Sequence, residues 1–191
     1  MSRRVPIPAK DAAEAWQDVL SRGFQMFAYY HWWSLEQLNP SLVRDKTCIT
    51  IKNAALESSL MSIRDLDDFF LCRTDARQDD LIASDYGFPA GSNFLSVVER
   101  DAINKKLAHL TYRSAEELQQ DPLRRNPRTW NNAEMVNRAT SLLLKFLDHL
   151  ESVFFVGDNA QIGMICTARK TIQLTLKNIN AVAQSEMDFT A

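Results

Sequence analysis

Turn-forming residues are scarce in this chain. Among 191 residues there are only five glycines and six prolines. A many-turned β-sandwich needs Gly and Pro at regular short intervals, so their shortage favours helices. Cysteine is scarce too. Cys48, Cys72 and Cys166 are odd in number and have no CxxC spacing. That excludes a disulfide framework and a cysteine-based zinc site, and it fits reduced thiols in a cytoplasmic protein. No run of 18 apolar residues occurs, so no membrane span is expected. Charge of one sign is also lacking. The net charge is −2, which gives no global pull toward nucleic acid. The basic N-terminus "MSRRVPIP" has no apolar stretch behind it, so it is not read as a secretory signal. No P-loop, GxGxxG, GxSxG, HExxH or paired CxxC is present, which sets those enzyme classes aside.

What remains is helical periodicity. Residues 1–10 read as an extended arm, followed by a single α-helical domain over 11–191. A first helix starts near Asp11, with Trp16, Val19, Leu20, Phe24 and Phe27 as its apolar stripe. The stripe then widens in "FAYYHWW", residues 27–33, which suits burial on several sides or a partner interface. Pro40 ends it. A second helix covers about 47–72 with Leu56, Leu60, Ile63, Leu66 and Phe70 inward. The segment 73–92, "RTDARQDDLIASDYGFPAGS", is the longest loop and reads as acidic and solvated. A third helix spans about 93–110, with Leu95, Val98, Ala102, Leu107 and Leu110 inward. A fourth starts at Asn131 with Met135, Ala139, Leu142, Leu143, Phe146 and Leu150 in its stripe. Asp158 and Gln161 are candidate caps for a fifth, whose stripe is Ile165, Ala168, Ile172, Leu176, Ile179 and Val182. Within it "TIQLTL" alternates with period two and suits a strand equally well. The expected fold is all-α: an antiparallel bundle of four to five helices with one long loop between helices two and three.

The densest polar stretch is "NKKLAHLTYR", residues 104–113. His109 and Arg113 stand four apart and share a helical face. A histidine among cations is neutral near pH 7 and can act as a general base, while the cations hold a phosphate. On that reading His109, Arg64 and Arg113 are candidate catalytic residues, and Asn104, Lys105, Lys106, Tyr112 and Asp68 line the pocket. Basic groups also complement the dipole at a helix C-terminus, which accounts for the same residues without any site. In "RDLDDFF", Arg64 is placed to pair with Asp67 or Asp68 as an exposed helical ion pair. The carboxylates of 67–85 lack the Gly and terminal Glu of an EF-hand, so no metal site is expected, and no cofactor. "DPLRRNPR" reads as a solvated connection, with a phosphate clamp as the alternative.

Two segments, "ALESSLMSIRDLDDFF" and "INKKLAHLTYR", look like a group of small bacterial helical proteins of unassigned function. A bundle with a polar motif ending in His also resembles, distantly, the HEPN superfamily. That resemblance implies a four- or five-helix bundle, often dimeric. It also implies a stress or defence setting, with metal-independent ribonuclease activity or nucleotide binding. The HEPN ribonuclease motif is Arg, four to six residues, then His. This chain has Asn104 five residues before His109, and Arg100 nine before. The expected partners are a second copy of the chain, as a homodimer, and an RNA or nucleotide ligand. The leading expectation is action by binding, with the ribonuclease and a small-ligand module as alternatives.

Overall fold

The computed structural model describes residues 9–38, 46–72, 80–108 and 132–189, and the side chains of 11–28, 51, 54–72, 80–104 and 134–177. Among the described residues the fold is all-α, with five α-helices and no strand. They are α1 (Ala9–Leu38), α2 (Lys46–Leu71), α3 (Val97–Ala108), α4 (Asn132–His149) and α5 (Asn159–Phe189). The "TIQLTL" stretch is helical, inside α5. Its Ile172 is buried in line with Ile165 and Ala168, and that stripe of three and four decides the conformation over the local alternation.

α1 and α2 run antiparallel. Ser59 donates to the Met26 carbonyl at 2.6 Å, Ser62 to Gln25 at 3.2 Å, and Arg22 lies 3.7 Å from Asp65. α4 crosses α1 closely at Gly23, where an added Cβ would lie 2.7 Å from Leu143 Cδ2. Glycine is therefore what lets the two backbones approach there. A turn of π-helix, Leu150–Phe154, closes α4, and Gly157 at φ 84° turns the chain into α5. Asp158 caps α5, accepting from the Ala160 and Gln161 N–H groups at 3.1 Å each. The Trp16 indole donates to Gln161 Oε1 at 2.7 Å and so joins α1 to the start of α5.

Three sequence expectations change. The long connection between α2 and α3 is present, but of its expected span 73–92 residues 73–79 lie outside the described residues and 80–92 are not simply solvated. A 3₁₀ turn, Ala83–Tyr86, carries Ile82, Ala83, Tyr86 and Phe88 into the core. Tyr86 and Phe88 stand edge-on to Phe146 at 5.3 and 5.5 Å between centroids, beside Phe69 and Phe70. This connection plugs the bundle. Its backbone is satisfied locally: Gly87, at φ 72°, donates to Ser84, and Phe88 donates to Ala83. Next, α3 starts at Val97, not near 93, because Ser96 and Glu99 form a reciprocal capping box. The Ser-x-x-Glu signal stands in the sequence at 96–99. That start rotates Val98 outward, to 77% exposure. Finally, Phe24 does not complete the inner stripe of α1 and is 40% exposed. Met26, fully buried, fills the inner position instead.

Candidate functional site

Among the described residues Asp67, on the inner face of α2, is a charged group fully excluded from solvent. Its Oδ1 accepts from the backbone N–H groups of Phe94 and Leu95, both at 2.9 Å. Its Oδ2 lies against the guanidinium of Arg100 from α3. Arg100 also pairs with Asp68. The carboxylate thus satisfies two N–H groups that the extended segment before α3 leaves without helical partners, and it fixes where α3 docks. Burial lowers the pKa of Arg100, and the nearby charge of Arg64 lowers it further. It stays a cation, because guanidinium titrates far above neutral pH. Asp67 therefore sits in a buried pair between two helices and not in an exposed pair within one. The reason is register: the acidic run reaches the α3 side of α2, where Arg100 is the nearest cation in space.

Arg64 is about a third exposed and donates to Asp65 at 3.2 Å. Its Nε is buried without a partner. Asn104 is exposed on α3. Lys105 and Lys106 belong to α3, but their side chains lie outside the described residues, as do His109, Tyr112 and Arg113 entirely. Of the sequence-predicted set, Arg64 and Asp68 are thus the members found together, both beside Arg100. Arg100 was legible only as an arginine at the wrong distance from His109. Among the described residues no group of three or more His, Cys, Asp or Glu side chains is placed to hold a metal.

A second network ties α3 to α4. Glu99 accepts from Ser96 and pairs with Arg138. Burial alone would raise the Glu99 pKa. The hydrogen bonds from Arg138 and Ser96 outweigh it and hold the carboxyl below its ordinary value. A third network links α5 to the π turn: Arg169 lies 2.9 Å from Asp148 and 2.5 Å from Glu151. The Glu151 hydrogen bond raises the Arg169 pKa despite partial burial. Near the plug, Tyr86 donates to the Ala12 carbonyl at 3.3 Å. Burial, then the charges of Asp85 and Asp18, push its pKa well above the ordinary phenol value. His149 Nε2 lies 2.8 Å from the Tyr86 carbonyl. A carbonyl only accepts, so this nitrogen carries the proton.

An open feature among the described residues lies on another side. An open groove of about 540 Å³ runs between α1 and α5, lined by Trp16, Gln17, Leu20, Ser21, Phe24, Gln25 and Met164. No lining residue is charged. Phe24 and Met164 are each 40% exposed, and Leu174 farther along α5 is 62% exposed. Sequence reasoning placed Phe24 in the core and so missed the groove. The signal for it was the absence of charge along one side of each helix.

Comparison with protein-family models, with curated proteins and with solved structures gives no match. Among the described residues no helix is long and apolar enough to cross a membrane.

Proposed function

We propose that the protein acts by binding and works as a homodimer, with the α1–α5 side as its contact surface. One observation carries this: the exposed apolar side chains of the described helices include Phe24 and Met164 at an uncharged groove, with Leu174 on the same side. The described ion-pair clusters, by contrast, join helix to helix. Sedimentation or light scattering of the full chain tests the reading. The expected mass is near twice 21.8 kDa and falls toward 21.8 kDa on dilution. A mass of 21.8 kDa at every concentration would count against it.

A second reading is an RNA or nucleotide site on the α2–α3 side, either as a binding module or as an HEPN-like ribonuclease using His109 with Arg64 or Arg113. The observation in its favour is Arg64, partly exposed, with a buried unpartnered Nε and a second guanidinium, Arg100, close by. Against it stand the three carboxylates of Asp65, Asp67 and Asp68 in the same cluster. Incubation of wild-type and His109→Ala protein with structured and single-stranded RNA separates the cases. Cleavage or retention by the wild type alone would establish this reading. A stress or defence setting rests on the HEPN resemblance alone.

A further inference from the structure

On α5 the positions Ala160, Met164, Thr167, Thr171 and Leu174 follow one another at spacings of four and three. They form one stripe along the helix, about 21 Å long at 1.5 Å per residue. All five are exposed. None is charged, although charged residues make up 24% of the chain and Arg169, Lys170 and Lys177 stand on the same helix. α1 carries a matching stripe at Gln17, Ser21, Phe24 and Ala28, again exposed and uncharged. Among the α1 side chains described, the charged ones, Asp11, Glu14, Asp18 and Arg22, lie to one side. The groove lies along the α1 stripe and meets the α5 stripe at Met164.

We infer that this charge-free face is where the homodimer forms, through a two-fold contact in which α5 of one copy crosses α5 of the other antiparallel between Thr167 and Thr171. This rests on the homodimeric reading above and adds the symmetry and register of the contact. Three features select a second copy as the occupant. A two-fold contact brings every residue near the axis against its own kind, so a charge there would meet a like charge. This face has none. The stripe is also matched in size to itself. Antiparallel pairing about the midpoint of 167 and 171 sets Thr167 of one copy opposite Thr171 of the other. The same register sets Met164 opposite Leu174. Large apolar side chains then flank a centre of small ones, which lets the helices approach closely. Lastly, the hydroxyls of Thr167 and Thr171 already donate to the carbonyls of Gly163 and Thr167, both at 3.0 Å. They need no solvent or partner group when covered.

The face is modest in area. Two stripes about 20 Å long on helices about 10 Å apart cover on the order of 400 Å² per copy, near half of a standard interface. The contact is therefore expected to be reversible on dilution.

The test uses charge at the centre of the stripe. Both threonines are exposed and bond only within α5, so charged substitutions leave the fold intact, which circular dichroism and thermal melts verify. Thr167→Lys with Thr171→Lys sets lysine against lysine across the axis, and Thr167→Glu with Thr171→Glu sets glutamate against glutamate. Each double variant is expected to sediment as a monomer, and an equal mixture of the two is expected to recover the dimer. Thr167→Lys with Thr171→Glu places opposite charges across the axis and is expected to stay dimeric alone. A dimeric wild type whose all-lysine and all-glutamate variants also remain dimeric overturns the surface while leaving the homodimer standing. Monomeric double variants that the mixture does not rescue overturn the α5–α5 contact, and a Thr167→Lys/Thr171→Glu variant that is monomeric alone overturns its antiparallel register. A wild type that is monomeric throughout removes the homodimer itself.

Discussion

Asp67 and Arg100 are unequal members of one pair. Removing the carboxylate leaves two N–H groups without an acceptor and the partly buried Arg100 with only Asp68 of its two described carboxylate partners. Asp67→Ala is therefore expected to destabilise by about 3–5 kcal/mol in urea unfolding. Arg100→Met leaves Asp67 still accepting from Phe94 and Leu95, so its cost should be smaller. The reverse order would show that the backbone bonds contribute little. Glu99 gives a pH signature. Its carboxyl titrates lower in the folded state than its ordinary value of 4.5, so its contribution is present above that value and is lost as pH falls through the lower folded one. Melting temperatures of wild type and Glu99→Gln should differ most near neutral pH and converge in acid. A gap that widens in acid would contradict the Arg138 pairing.

The plug and the helix crossings belong to the scale of elements. If residues 80–96 were solvated, Phe88→Ala would change stability by no more than about 0.5 kcal/mol. As a core residue against Phe70 and Phe146, it should cost about 3–5 kcal/mol. At the α1–α4 crossing, Gly23→Val should destabilise by more than about 1 kcal/mol, because the added Cβ and its two methyls must displace the buried Leu143. Equilibrium unfolding reads both. Periodicity made most inner faces legible: Leu60, Ile63, Leu66 and Phe70 on α2, and Met135, Ala139, Leu143 and Phe146 on α4, are all buried. It failed where burial is not set by a helical stripe. The plug has no period, and its acidic neighbours suggested water. Asp67 sits on the inner face as a carboxylate, which a hydropathy pattern does not register. Phe24 is apolar and outward, where a pattern expects the core. Of the candidate site, Arg64 and Asp68 were legible from local charge, but the Arg100 partnership spans more than 30 residues and is set by packing alone.

For the whole molecule, a dimer held by an uncharged face should respond weakly to salt. Sedimentation between low and high ionic strength is expected to give nearly the same dissociation constant, since there is little Coulomb energy to screen. Strong weakening by salt would move the contact to a charged surface. The junction at Asp67 has a further consequence, in the language of hydrogen exchange. The amides of Phe94 and Leu95 belong to an irregular stretch, where fast exchange is the usual behaviour. Here they are buried and bonded to a carboxylate on another helix. Deuterium can reach them only when α2 and the plug part. Their exchange should be as slow as that of core helix amides and should vary with denaturant as global unfolding does. Two amides outside any helix would then report the opening of the entire bundle.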